Sequence, residues 1–211
     1  MYGVGGSIKK VPKSCFGASA ESSIEASRKL AAAASGSQRR RTARCYHGWM
    51  VGSLEEVADR VHQLKAAGRK IVFTNGCFDI LHSGHIGLLQ KARELGDVLV
   101  VGINSDASVA RIKGPKRPIV SENERAELID GLEMVDFVCS FDEDNPLQAI
   151  LKILPDVLVK GADWTDNIVG QSEVERWNGK VVALPLIPGC STTAIVERVL
   201  ARYGNTGKTH S

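Results

Sequence analysis

The feature that most constrains this chain is a repeated unit: a short uninterrupted apolar run, a polar loop, then an amphipathic helix. The strands built on these runs fall at residues 70–75, 97–103, 136–141, 157–160 and 180–187. A strand with no polar alternation is buried on both faces, which a parallel sheet with helices on each side provides. The helical patterns lie between the runs. Leu54, Val57, Val61 and Leu64 form one stripe, opened by a capping box of Ser53 with Glu56 and ended by Gly68. Ile86, Leu89 and Ala92 repeat at helical spacing up to Gly96. Ser121 with Glu124 opens a helix to about Leu132, and Asn145 followed by Pro146 opens another to Leu154. Residues 171–177 form a short helix, and Ser191 to Thr193 cap a last one ending near Tyr203. The expected fold is α/β: a doubly wound, five-stranded parallel sheet in one domain spanning residues 50–204.

Charge separates the ends of the chain. Residues 1–49 carry nine Lys/Arg against two Glu, and the remainder carries eighteen Lys/Arg against twenty-two Asp/Glu. The ordered part is mildly acidic, so no nucleic-acid partner is expected. Residues 1–49 are rich in Ser, Ala, Gly and Arg, with a basic run at Arg39 to Arg41, and read as a disordered basic extension. An upstream extension before a natural start at Met50 and a transit peptide are the two readings of it. Residues 205–211 read as a frayed tail. No apolar run reaches transmembrane length, so no membrane partner is expected. The five cysteines, Cys15, Cys45, Cys77, Cys139 and Cys190, form no CxxC pair, which disfavours a disulfide framework and a zinc ribbon. A reducing, cytoplasmic setting fits.

Ligands of such sheets bind beyond the carboxyl ends of the strands. Polar residues collect there: Thr74 to His85 after the first run, Asn104 and Asp106 after the second, Lys160, Gly161 and Asp163 after the fourth, and Ser191, Thr192 and Thr193 after the fifth. The stretch Thr74-Asn-Gly-Cys-Phe-Asp-Ile-Leu-His-Ser-Gly-His85 reads as strand, tight turn and helix start. A helix N-terminus offers free N–H groups and partial positive charge, which suits phosphate. His82 and His85, three apart, lie on one side of that entrance. A dinucleotide-binding GxGxxG and a P-loop GxxxxGK[ST] are both absent. The HxxH pair has no third ligand at helical spacing, so no metal-ligating residues are assigned. Cys77 has no base set beside it and reads as structural, as does Cys190.

The Thr74–His85 stretch resembles the HxGH signature of the cytidylyltransferase-like nucleotidyltransferases, and Ser191-Thr-Thr193 resembles their second phosphate-binding motif. Asn104-Ser-Asp-Ala-Ser108, Lys113-Gly114, Arg117-Pro118, Arg125, Phe141-Asp-Glu-Asp144, Leu158-Val-Lys-Gly161 and Gly189-Cys-Ser-Thr-Thr193 resemble, more closely, the adenylyltransferase domain of the heptose kinase/adenylyltransferase family. The resemblance spans about residues 68–200. Ala162 and Trp164 depart from it where Gly and Tyr are expected, as does Leu88 where an aromatic is common.

The resemblance implies a Rossmann-like sheet and adenylyl transfer from ATP to D-glycero-β-D-manno-heptose 1-phosphate, giving ADP-heptose and pyrophosphate. A cytidylyltransferase acting on glycerol 3-phosphate and a non-catalytic nucleotide-binding module are the alternatives. A sugar phosphate is already ionised near neutral pH, so attack on the α-phosphorus needs positioning and charge neutralisation, not a general base. His82, His85 and Lys113 are the expected catalytic residues, with Lys113 neutralising phosphate on either substrate. Thr74, Asn75 and the backbone of Gly76, Cys77 and Phe78 are expected to hold the nucleotide. Ser191, Thr192 and Thr193 take its outer phosphates, and Asn104, Asp106, Lys160, Gly161 and Asp163 complete the rim. Arg125 either joins them or is a helix-surface charge. Asp79 is expected to brace the turn. Magnesium is expected to be held through ATP phosphates and water. A homodimer and a separate upstream heptose kinase are further expectations of the resemblance.

Overall fold

The computed structural model describes residues 51–161, 168–185 and 187–204, all within the unit Trp49–Ser211. The expectations for residues 1–49, for Ala162, Asp163 and Trp164, and for the tail at 205–211 lie outside the described residues. The strands are β1 (Val51–Gly52), β2 (Ile71–Gly76), β3 (Val98–Asn104), β4 (Phe137–Phe141), β5 (Val157–Gly161) and β6 (Lys180–Leu184). They form one sheet in the order β1-β4-β3-β2-β5-β6, every neighbour parallel. The expected five strands are thus corrected to six. The addition, β1, is two residues long and exists by its ladder to Val138 and Cys139 of β4. Two residues carry no periodicity, so only the pairing defines it.

The helices are α1 (Leu54–Ala66), α2 (Ser83–Arg93), α3 (Asp106–Lys113), α4 (Glu122–Asp130), α5 (Leu147–Ile153), α6 (Gln171–Arg176) and α7 (Thr192–Tyr203). Both expected capping boxes are present, at Ser53 with Glu56 and at Ser121 with Glu124. Pro146 is the N-cap of α5, one place later than expected, and Asn145 Oδ1 accepts from the Leu147 N–H at 3.1 Å. Successive strand residues face opposite sides, which divides the core. Ile71 and Phe73 pack with Val61 of α1 and Ile150 of α5, while Val72 packs with Leu89 of α2 and Ile129 of α4.

The winding reverses beside β2. From β2 the chain steps to β3 and β4, then crosses back to β5 on the other side of β2 and continues to β6. The reversal leaves a crevice at the carboxyl ends of β2 and β5, where the turn 77–82 and the pair Lys160-Gly161 emerge.

Candidate active site

Helix α2 starts at Ser83, three residues before its apolar periodicity, and His82 is its N-cap. The His82 side chain makes no capping bond, so its ring is available to a ligand. Its carbonyl accepts from the N–H groups of His85 at 2.9 Å and Ile86 at 3.2 Å. The two imidazoles stack, centroids 3.8 Å apart and planes 19° apart. Phe78 supports them from within the turn. It holds a left-handed φ of 47°, strained for a residue with a side chain, and its buried ring sits 5.0 Å from that of His85.

The Nδ1 atoms of His82 and His85 are buried and have no hydrogen-bond partner among the described residues. Burial pushes the pKa of both rings down, and that of His85 to about 4, with the neighbouring His82 adding to the effect. Both imidazoles are therefore neutral at pH 7 and act as hydrogen-bonding groups. The unfolded chain takes up a proton near pH 6.5 that folded His85 refuses until about pH 4. Stability from this group is then complete above pH 6.5 and is lost as pH falls towards 4. The loss is expected to be roughly 3 kcal/mol at most. Urea unfolding at pH 7 and pH 4.5 should show it in the native chain, with a smaller difference in His85→Gln.

Gly84 lets the second motif close on the first. A Cβ there would lie 2.9 Å from His82 Nδ1 and 3.2 Å from Cys190 Cβ. Beside it, Ser83 Oγ and Cys190 Sγ are 3.1 Å apart. Helix α7 begins at this contact, with Ser191 as N-cap accepting from the Ala194 N–H at 3.1 Å. Two helix N-termini thus face one cavity of about 450 Å³. Gly84→Ala is expected to lower turnover at least tenfold by displacing the His82 ring. Its stability should stay within about 1 kcal/mol of native, because alanine favours the helix that its Cβ crowds. Initial rates and urea midpoints check the two halves separately.

The cavity wall gathers Asn75, Gly76, Cys77, Phe78, His82 and His85 with Asn104, Lys113, Lys160, Gly161 and Ser191 to Thr193. Lys160 donates to Asn75 Oδ1 across the crevice between β5 and β2. Lys113, at the end of α3, is exposed. Burial raises the Cys77 thiol pKa, against the pull of Lys113, Arg125 and Arg117 nearby, so Cys77 stays a thiol.

Thr74, Asp106 and Arg125 stand behind this wall. Thr74 is buried and donates to the Val159 carbonyl at 3.1 Å, tying β2 to β5. Asp106 opens α3 and accepts from Arg125 at 2.7 Å. Arg125 is fully buried, which removes its reading as a surface charge. It also donates to the carbonyls of Cys77 at 2.6 Å and Val120 at 3.0 Å. Asp79 is the brace its place in the turn suggested. It accepts from the N–H groups of Ile119 at 2.7 Å and Val120 at 2.9 Å and pairs with Arg117. Arg117 and Asp144, quoted above only as part of the family motifs, and Asn145, read only as a helix opener, also line the cavity. Arg117 had a visible signal, its place in the basic loop 113–118.

Two helix ends and a histidine pair meet here at a strand-order reversal, an arrangement that suits phosphate and is the design of a nucleotidyltransferase. The chain belongs to the cytidylyltransferase-like family, whose model matches residues 73–198. It is 51% identical over 150 residues to bifunctional protein HldE of Trichlorobacter lovleyi, covering 71% of this chain and 30% of that protein. It is 54% identical over 140 residues to bifunctional protein HldE of Pelobacter propionicus, covering 66% and 29%. The chain thus spans about a third or less of the length of these curated relatives. Among solved structures it resembles a lipopolysaccharide core biosynthesis protein from Thermoplasma volcanium, with 34% identity, 57% of this chain and 98% of that one covered, and a TM-score of 0.48. No helix among the described residues is long and apolar enough to cross a membrane.

Proposed function

We propose that the chain transfers AMP from ATP to D-glycero-β-D-manno-heptose 1-phosphate, giving ADP-heptose and pyrophosphate. The observation that carries the reading is the neutral, stacked His82–His85 pair at one helix N-terminus, closed against a second N-terminus at Ser191. The close resemblance to heptose adenylyltransferase domains supplies the substrates.

An oxygen of the sugar phosphate attacks the α-phosphorus of ATP. The bond from that phosphorus to the oxygen bridging it to the β-phosphorus breaks, and pyrophosphate leaves. No proton moves in this step, because the acceptor oxygen is already ionised. His82 and His85 donate hydrogen bonds to the α-phosphoryl oxygens as their charge shifts. Ser191, Thr192 and Thr193, with the start of α7, take the β- and γ-phosphates. Lys113 neutralises phosphate charge at the other rim. Asn75, Lys160, Gly161 and the backbone of Gly76 to Phe78 hold the nucleoside side, with Asn104 completing the rim. Thr74, Asp106 and Arg125 keep this wall in place rather than touching substrate.

Magnesium fits as a passenger on the triphosphate. Asp79 is committed to Arg117 and two N–H groups, and Asp144 is paired with Arg111 at 2.7 Å. Among the described residues no cluster of three acidic, His or Cys side chains is placed to cage a cation. When bound, the ion supplies charge neutralisation on the phosphates. We place the reaction in the cytoplasm, where ATP is made, with the acceptor supplied by a kinase that leaves phosphate on the anomeric carbon.

The test is the fate of label. ATP labelled at the α-phosphorus, with heptose 1-phosphate and magnesium, should yield labelled ADP-heptose. Label staying in ATP, but moving from CTP onto glycerol 3-phosphate, would assign the site to cytidylyl transfer.

A further inference from the structure

We infer that Arg117 binds the acceptor's phosphate, at a subsite on the β3 side of the cavity apart from the triphosphate. The assignment rests on the transfer reaction proposed above and names the ligand of one rim of that site.

Arg117 lines the cavity with its side chain 19% exposed, so it is anchored yet open to a ligand. The carboxylate of Asp79 engages its Nε. Among the described residues its two terminal nitrogens have no hydrogen-bond partner. An arginine gripped through Nε presents those nitrogens as a fixed fork, the geometry that matches two phosphate oxygens. Its backbone is fixed as well. The Arg117 N–H donates to the Gly114 carbonyl at 3.0 Å, and the next two N–H groups of the loop end on Asp79. Asp144, a carboxylate in the same wall, is turned to Arg111 and does not compete for the fork.

Sheet order decides which phosphate Arg117 takes. The histidine turn follows β2, the strand next to the reversal. Arg117 and Lys113 arrive after β3, on one side of β2. Ser191 to Thr193 arrive after β6, beyond β5 on the other side. In-line displacement requires the attacking oxygen and the leaving pyrophosphate on opposite sides of the α-phosphorus. With pyrophosphate at the start of α7, the attacking phosphate falls on the β3 side, under Arg117. The ligand class is a phosphomonoester dianion on a small polyhydroxylated body.

The test is steady-state kinetics of Arg117→Gln, Arg117→Lys and, as a control on an exposed cation of the same loop, Lys116→Gln, in the full chain. Arg117→Gln should raise KM for heptose 1-phosphate tenfold or more and leave KM for ATP within twofold. Arg117→Lys keeps the charge but loses the fork, and should raise the acceptor KM at least threefold. It carries the comparison if Arg117→Gln does not fold. Lys116→Gln should change neither. An acceptor KM within twofold of native for both arginine variants, or a rise in KM for ATP alone, overturns the assignment. Calorimetric titration of inorganic phosphate into protein saturated with a non-hydrolysable ATP analogue reads the same subsite without turnover. A native chain that ignores heptose 1-phosphate but loses phosphate affinity at least tenfold on Arg117→Gln would sink the substrate reading and keep the subsite. Unchanged phosphate affinity would sink the subsite.

Discussion

His85→Ala is expected to lower turnover by two to three orders of magnitude, on the order of one lost transition-state donor. The ring sits in the first turn of α2, stacked on His82 and tilted against Phe78, so its aim is set by packing rather than by a partner's charge. A group placed this way costs nothing to reorient as phosphate charge shifts, and the loss should fall on kcat more than on KM for ATP. Folding should tolerate the change, because the buried Nδ1 of His85 forms no bond that the substitution breaks. Single-turnover rates at saturating ATP measure the effect, and a rate within twofold of native would remove His85 from the mechanism. His82→Ala should cost less, since that ring lies at the helix edge.

Asp79→Ala is expected to destabilise the chain by about 3–5 kcal/mol. The carboxylate is 1% exposed and answers three donors: the Arg117 guanidinium and the N–H groups of Ile119 and Val120. Its removal strands all three where water is scarce. Arg125 ties the same joint from below, through the carbonyls of Cys77 and Val120. The histidine turn and the basic loop are thus fastened by two buried charged side chains from different segments. Asp79→Asn separates charge from shape, because it keeps the volume but sets an amide N–H against donors. It should lose nearly as much as alanine. Urea midpoints at constant slope read both variants. An asparagine variant as stable as native would mean that packing alone holds the joint.

The sheet was legible in the sequence because β2 to β5 are each built on Val, Ile, Leu and Phe, with polar residues mostly at their carboxyl ends, as burial on both faces demands. The histidine turn was legible because its chemistry sits in one contiguous stretch. Helix α3 escaped notice: Asn104-Ser-Asp106 is turn-like in isolation, and the helix takes hold through Ser105, which accepts from the Ser108 N–H at 3.0 Å. The start of α2 was legible in the same stretch, because the two histidines mark the helix entrance, and His82 is its N-cap. Arg125 resembled a surface charge in the polar run 122–125. Its partners at Cys77, Asp106 and Val120 come from three other segments, and no local pattern encodes such a meeting.

Pyrophosphate release by the full chain with magnesium tests the central claim most directly, with ATP and CTP each offered against heptose 1-phosphate and glycerol 3-phosphate. Rapid release from ATP with heptose 1-phosphate, and little from the other three pairings, is the predicted result. Release only from CTP with glycerol 3-phosphate would contradict the adenylyl-transfer reading while leaving the fold and the histidine chemistry in place.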